Sequence, residues 1–234
     1  MKTIMMSQVK IYIALILVVF TCVSFNLLNC DGYYATKKGM ILEMKATDSK
    51  NKVTGKSILE IVENKHEDGK NVAVVKNIAT DVKKNKTTET SYELVCNEMG
   101  ISINIMKTVQ ESLKKSNQQN QTTVTGTNPV YPNEMKVGQI IPDAIIKISV
   151  KGEISLESGV KFYDRKVIAT ENVTVEAGTF DCVVITYTEE TTFVVTKTKK
   201  YKVWMAKGIG IVKSEEYDKK GKLEKTIELT KLSS

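Results

Sequence analysis

Apolar and polar residues alternate with a period of two over much of the chain. Met40, Leu42 and Met44 are interleaved with Ile41, Glu43 and Lys45. Ala144, Ile146, Ile148 and Val150 line one side of a run whose other side carries Lys147 and Ser149, and Val183, Ile185 and Tyr187 repeat the arrangement. Successive side chains of a strand point to opposite faces, so this period describes half-buried antiparallel strands. Thr186, Thr188, Thr191 and Thr192 add β-branched side chains that suit a pleated surface. Turn formers stand between the runs at Asp68-Gly69, Asn97-Glu98-Met99-Gly100, Lys151-Gly152, Ser158-Gly159 and Ala177-Gly178. Their spacing predicts a meander of about ten to twelve strands. Lys207-Gly208-Ile209-Gly210 lies between two strand-like runs and reads as a tight turn or bulge rather than a phosphate cradle.

Helical spacing occurs once. Met106, Val109 and Leu113 predict a short helix over 106–116. The stretch 114–128 then turns polar and rich in Asn, Gln and Thr, with Val124 its only apolar residue, and reads as a long mobile loop. A faint repeat sets Asp48, Lys52 and Val53 against Asp218, Lys222 and Leu223, two hairpins with lysine-rich turns. The expectation is a mainly β protein, with one antiparallel sheet domain and one short helix over 30–234.

The N-terminus breaks the alternation. Lys2 and Lys10 precede an uncharged run from Ile11 to Asn29 that is densest in IYIALILVVF. A basic segment followed by a short apolar core describes a leader for export, and 1–29 is read as a signal peptide or lipoprotein leader. Two processing routes stay open. Cys22 and Ser24 place small residues before a cut that would leave Phe25 first, whereas Leu27-Leu28-Asn29-Cys30 is a loose lipobox with Cys30 as the lipidated residue. The expected location is the periplasm or cell envelope.

Charge changes the picture little at this level. The formal net charge of the 234-residue chain is +7, and Arg165 is the only arginine. Lysines alternate with glutamate and threonine, as on a solvated sheet face, and nucleic-acid recognition with its arginine forks is not expected. Partners are unknown: an apolar ligand or an envelope protein is expected, and membrane contact only through a lipid anchor or an uncleaved leader.

The residues needed for common chemistries are missing from the pattern. His66 is the only histidine and sits in the polar sequence NKHEDGK, so neither a nucleophile–base pair nor a Cys/His zinc cluster can be drawn. Glu189-Glu190 and Glu215-Glu216 are adjacent in sequence and on a strand would face opposite ways. No P-loop or dinucleotide fingerprint is present. The expectation is a protein that is not an enzyme, with no metal and no cofactor.

A resemblance emerges from an ordered series of segments. Gly178-Thr179-Phe180-Asp181-Cys182, Trp204 to Ser214 and Tyr217 to Lys222 resemble the exported bacterial TapB family, which carries a domain of unknown function. Cys30, Tyr33-Tyr34, Lys37-Lys38-Gly39, Lys136 to Gln139 and Pro142-Asp143 fit the same series, so the resemblance spans Cys30 to about Lys231. It implies an envelope protein without established catalysis and a single curved antiparallel sheet or half-barrel, an architecture able to enclose an apolar ligand. The expected function is therefore a non-enzymatic exported envelope protein that binds a partner or an apolar ligand on that curved sheet. The competing expectation is a structural or assembly accessory that acts through its surface.

Three residue expectations complete the reading. If Cys30 is not lipidated, it pairs with Cys96 and pins the N-terminal segment to the sheet, leaving Cys182 as a buried thiol. In YKVWMAKGIGIV, Tyr201, Val203 and Met205 share one face and Trp204 takes the other. One face fills a core, and the other lies beneath the helix or lines a cavity, which makes Trp204 and Met205 candidates for an apolar ligand face.

Overall fold

The alternating runs become strands of one sheet in a computed structural model of the protein, which describes residues 32–115, 122–151 and 156–234. The elements are β1 (Ile41–Asp48), β2 (Val53–Glu67), β3 (Lys70–Asp81), β4 (Lys86–Asn97), β5 (Gly100–Ile103), α1 (Ile105–Lys115), β6 (Thr122–Thr127) and β7 (Val130–Tyr131). They continue with β8 (Ala144–Val150), β9 (Leu156–Val175), β10 (Gly178–Thr192), β11 (Thr196–Ala206), β12 (Gly210–Asp218) and β13 (Leu223–Ser233). All the strands join one sheet in the order β6-β8-β9-β10-β11-β12-β13-β1-β2-β3-β4-β5-β7. Two meanders, β1–β5 and β8–β13, are thus joined through the first and last strands, which pair from Ile41↔Ser233 to Asp48↔Lys225.

The two edges, β6 and β7, are consecutive in the chain and are not hydrogen-bonded to each other. Only Asn128-Pro129 separates them, so Thr127 and Val130 lie within about 11 Å. The sheet is therefore curled far round but open, as the curved-sheet expectation required. Helix α1 stands in the gap and packs against β6 and β4, where β5, paired only with Leu94–Asn97, leaves the rest of β4 uncovered. Asn104 caps the helix: its Oδ1 accepts from Lys107 N (3.3 Å) and from Asn128 Nδ2 (3.0 Å). Asn128 Oδ1 in turn accepts from Met106 N (3.0 Å), which ties the helix start to the connection between the two edges.

The long loop expected over 114–128 is corrected here. The helix runs to Lys115, residues 116–121 lie outside the described residues, and Thr122–Thr127 form β6, paired with β8. An edge strand needs no apolar run, and the threonines that looked like loop composition are good strand formers. The turn expected at 207–210 is present, with Gly208 (φ 68°) and Gly210 (φ 109°) in a region that L side chains enter under strain.

The inner face holds the main core, with Leu42, Ile61, Val75, Leu94, Ile101, Val167, Ile185, Met205 and Leu229 among its buried residues. A second cluster of Cys182, Val184, Trp204, Ala206 and Val212 lies on the opposite face. It is covered by Val173, Val175 and Phe180 from the tip of the β9–β10 hairpin. That tip reaches across to β13, where Ala177 N donates to Leu229 O (3.4 Å).

Candidate functional site

Each inner strand changes character along its length. Register sets Ala46 of β1 opposite Ile227 of β13 and Gly55 of β2, and Ser57 of β2 opposite Ala79 of β3, which faces Thr88 of β4. Toward the core the same face carries Leu42, Leu59, Val75 and Leu94, which fill the curl. Beyond them the small side chains leave a groove of about 470 Å³. Met44, Ala46, Ala79 and Ile227 supply apolar walls, and Lys84, Lys86, Lys225 and Asp81 stand at its rim. A Cβ at Gly55 would sit 3.3 Å from Thr80 O and 3.7 Å from Ala46 Cβ, so a side chain there would crowd the floor. Thr54, Ser57, Thr80 and Thr88 line the rest with hydroxyls, so an apolar patch on the floor meets polar walls and a mainly cationic rim, a combination that suits an amphiphile bearing an anionic group.

The same face continues from β13 through β12, β11 and β10 to β9 as a strip of aromatic and charged groups. Tyr187 stacks on Tyr201 with centroids 4.8 Å apart, and Phe162 meets Tyr187 edge-on at 6.1 Å. Burial holds the Tyr187 hydroxyl well above its ordinary range and pushes Tyr92 up to about 12. Glu216 accepts from Lys199 (3.0 Å) and Lys225 (3.2 Å). Burial alone would raise its pKa, but the two lysines outweigh it and the carboxyl lies below its usual range. Glu189 nearby is raised by desolvation. The opposite directions follow from which carboxylate holds the lysines, and the row acts as a charged ladder beside the aromatic floor.

The expected ligand face does not coincide with the groove. Trp204 and Met205 lie on opposite faces of β11, and neither lines the groove. Met205 is 1% exposed within the main core. Trp204 belongs to the outer cluster, donates Nε1–H to Glu171 Oε2 (2.7 Å) and lies between Lys202 and Lys213, whose Nζ atoms are 4.5 and 5.0 Å from the ring centroid. The helix does not cover it, because α1 is committed to β4 and β6 at the gap between the sheet edges. Cys182 is buried and free, and burial pushes its thiol up to about 11. Cys96 is buried in the main core. Cys30, with both its pairing to Cys96 and its lipidation, lies outside the described residues.

A hollow of about 510 Å³ also exists on the side of Cys182, between the β9–β10 hairpin and Tyr33. Its wall residue Glu171 is already engaged by Trp204 and Lys202, and most of its lining comes from a single hairpin. The inner groove, built by four strands of the first meander and β13, is the better-framed site. Sequence reading missed it because its lining comes from five strands, with Met44 and Ile227 about 180 positions apart in the chain.

Sequence reading also missed Arg165. Its side chain is 1% exposed; Nη1 donates to Pro142 O (2.5 Å), Nη2 to Val130 O (3.1 Å), and the guanidinium lies 4.8 Å from the Tyr131 ring centroid. The only arginine thus fastens edge strand β7 to β9 across the interior, a task that needs the guanidinium fork.

Comparison with known proteins places this geometry in a family. The DUF3108-like family model matches residues 37–229, and the chain belongs to that family. The TapB-like resemblance is narrower than this match. A candidate exported protein with a YmcC-like fold from Bacteroides fragilis is similar over 88% of this chain and 100% of its own, at 21% identity and a TM-score of 0.67. A candidate lipoprotein from Parabacteroides distasonis has the same coverage and identity and a TM-score of 0.68. At this identity the likeness is one of fold. No curated protein sequence matches the chain.

Proposed function

We propose that this member of the DUF3108-like family is a non-enzymatic exported envelope protein that holds an amphiphilic ligand in the inner groove. The observation that carries the reading is the groove itself: about 470 Å³ over Met44, Ala46, Ala79 and Ile227, beneath a rim with Lys84, Lys86 and Lys225. The apolar floor takes a chain or ring, and the rim takes an anionic head. Export rests on the leader at 1–29 and agrees with the two similar folds named for export and lipid attachment. The narrower TapB-like assignment, and the choice between a Cys30 lipid anchor and a Cys30–Cys96 bridge, belong to the same proposal.

Native mass spectrometry of protein purified from its own envelope tests it. The expected result is a retained amphiphile that is lost in Ala79→Phe, which fills the groove from β3 while leaving the strand pairing intact. A wild-type protein that carries no small ligand would transfer the proposal to a surface-acting assembly accessory. A chain without Met1–Asn29 is expected to stay in the cytoplasm, and its arrival in the envelope would refute export through that leader.

A further inference from the structure

Antiparallel pairing sends alternate turns to opposite ends of the curl. The turns at 48–52, 81–86, 192–196 and 218–222 all lie at one end, because Asp48 pairs with Lys225, Gly55 with Asp81 and Lys199 with Asp218. Three of these turns, 48–52, 81–86 and 218–222, hold eight lysines against three aspartates, an excess of five positive charges where the whole chain carries +7. Every one of those lysines is exposed. The aspartates are spent on the turns themselves: Asp48 Oδ1 accepts from Lys50 N and Lys52 N, Asp218 Oδ1 from Lys220 N and Lys222 N, and Asp81 Oδ1 from Lys84 N. The fourth turn carries Phe193, Val194 and Val195, which are 61, 79 and 67% exposed.

A convex tip of three apolar residues beside a cluster of ammonium groups fits one kind of surface. We propose that this end of the molecule docks on an anionic lipid bilayer, with Phe193–Val195 entering the headgroup region and the lysine turns meeting lipid phosphates. Apolar burial and attraction to anionic lipid are the two terms that hold a protein at a membrane interface. A nucleic acid would offer the lysines phosphates but give the tip nowhere to bury, and the end contains no arginine fork. A folded acidic protein would need a preformed pocket for a projecting tip, whereas lipid closes around it. The lysines that alternate with glutamate and threonine along the chain are joined at this end by others that the register gathers from turns distant in sequence. The proposal does not rest on the groove, although the groove rim (Asp81, Lys84, Lys86) belongs to the same end.

Vesicle sedimentation tests the proposal with the chain begun at Phe25, which keeps every described strand and both core clusters. Vesicles of phosphatidylcholine mixed with phosphatidylglycerol are expected to bind the protein, and pure phosphatidylcholine to bind it weakly. Replacing Phe193, Val194 and Val195 together by serine should lower partitioning at least about tenfold. Lys84→Glu with Lys220→Glu should lower it similarly and flatten its salt dependence, with circular dichroism showing the fold retained in both. Ala79→Phe should bind vesicles like wild type, so a failure of the groove reading leaves this result standing. Absence of binding to the mixed vesicles, or binding unchanged by the serine tip, overturns the proposal; a charge-only effect indicates a polyanion partner instead.

Discussion

Replacing Arg165 by methionine isolates what a single buried guanidinium does for a curled sheet. The change keeps a long side chain but removes the donors to Pro142 O and Val130 O. Each orphaned buried carbonyl costs about 1–3 kcal/mol, and loss of the contact with the Tyr131 ring adds up to about 2 kcal/mol. Relief of the guanidinium's own desolvation offsets part of this, because no carboxylate among the described residues pairs with it. The expected net loss is about 3 kcal/mol, or roughly 6–12 °C in Tm for a chain of this size. Urea unfolding followed through Trp204, the sole tryptophan, reads the global change, and hydrogen exchange at β5 and β7 reads whether the edge detaches first. Arg165→Lys should recover little, since an ammonium lacks the planar fork that meets two separated carbonyls. An Arg165→Met midpoint equal to or above wild type would refute the reasoning and make the arginine dispensable to β7.

The thiols and the turn carboxylates give two further tests. Cys182, buried and with its thiol pushed up to about 11, should react with iodoacetamide at neutral pH only after denaturation, and non-reducing peptide mapping should return it free, with Cys30 joined to Cys96 where Cys30 carries no lipid; a Cys96–Cys182 bridge would sink that assignment. Backbone N–H donors hold Asp48, Asp81 and Asp218 below the ordinary 3.8. Their folded pKa values lie under the unfolded ones, so their contribution is present above about pH 4 and is lost as pH falls through the folded values. Protection of the Lys50, Lys52, Lys220 and Lys222 amides, taken relative to their intrinsic exchange rates at each pH, should therefore fall under acid, and protection that stays constant would count against the turn-ordering role.

The strands and their inner faces were legible because a period of two survives in the sequence wherever one face is buried: Ile41–Met44, Ala144–Val150 and Val183–Tyr187 each became strand. The repeat of Asp48 and Asp218 was legible too, and the two turns share their bonding. Asp48 N donates to Lys52 O and Asp218 N to Lys222 O, with Asn51 (φ 60°) and Gly221 (φ 85°) at the same place. What could not be read was anything set by partner choice. The β1–β13 pairing, the edge positions of β6 and β7 and the fork of Arg165 all depend on register between segments far apart in sequence. Trp204 shows the limit well: alternation placed it correctly opposite Met205, but nothing local revealed that the β9–β10 tip and two lysines would cover it.

Across neighbouring strands the same gradient runs in register. β1 passes from Leu42 and Met44 to Ala46 and Asp48, β3 from Ala73 and Val75 to Ala79 and Asp81, β4 from Leu94 and Tyr92 to Thr88 and Lys86, and β10 from Val183 and Ile185 to Glu189 and Thr191. Half the length of each strand therefore buries most of the apolar area that stabilises the curl, while backbone pairing with ion pairs such as Lys199–Glu216 extends the other half. Substitution at the small or charged half removes no core contact and leaves the ladder intact, so its effect on stability should stay near the ordinary surface range of about ±0.5 kcal/mol. Ala79→Phe and the serine tip at 193–195 fall in that half, whereas Leu94→Ala in the core half should cost about 2–5 kcal/mol. Comparable losses at both positions would show that the groove end is part of the core, and the separation of binding from stability argued from the gradient would fail.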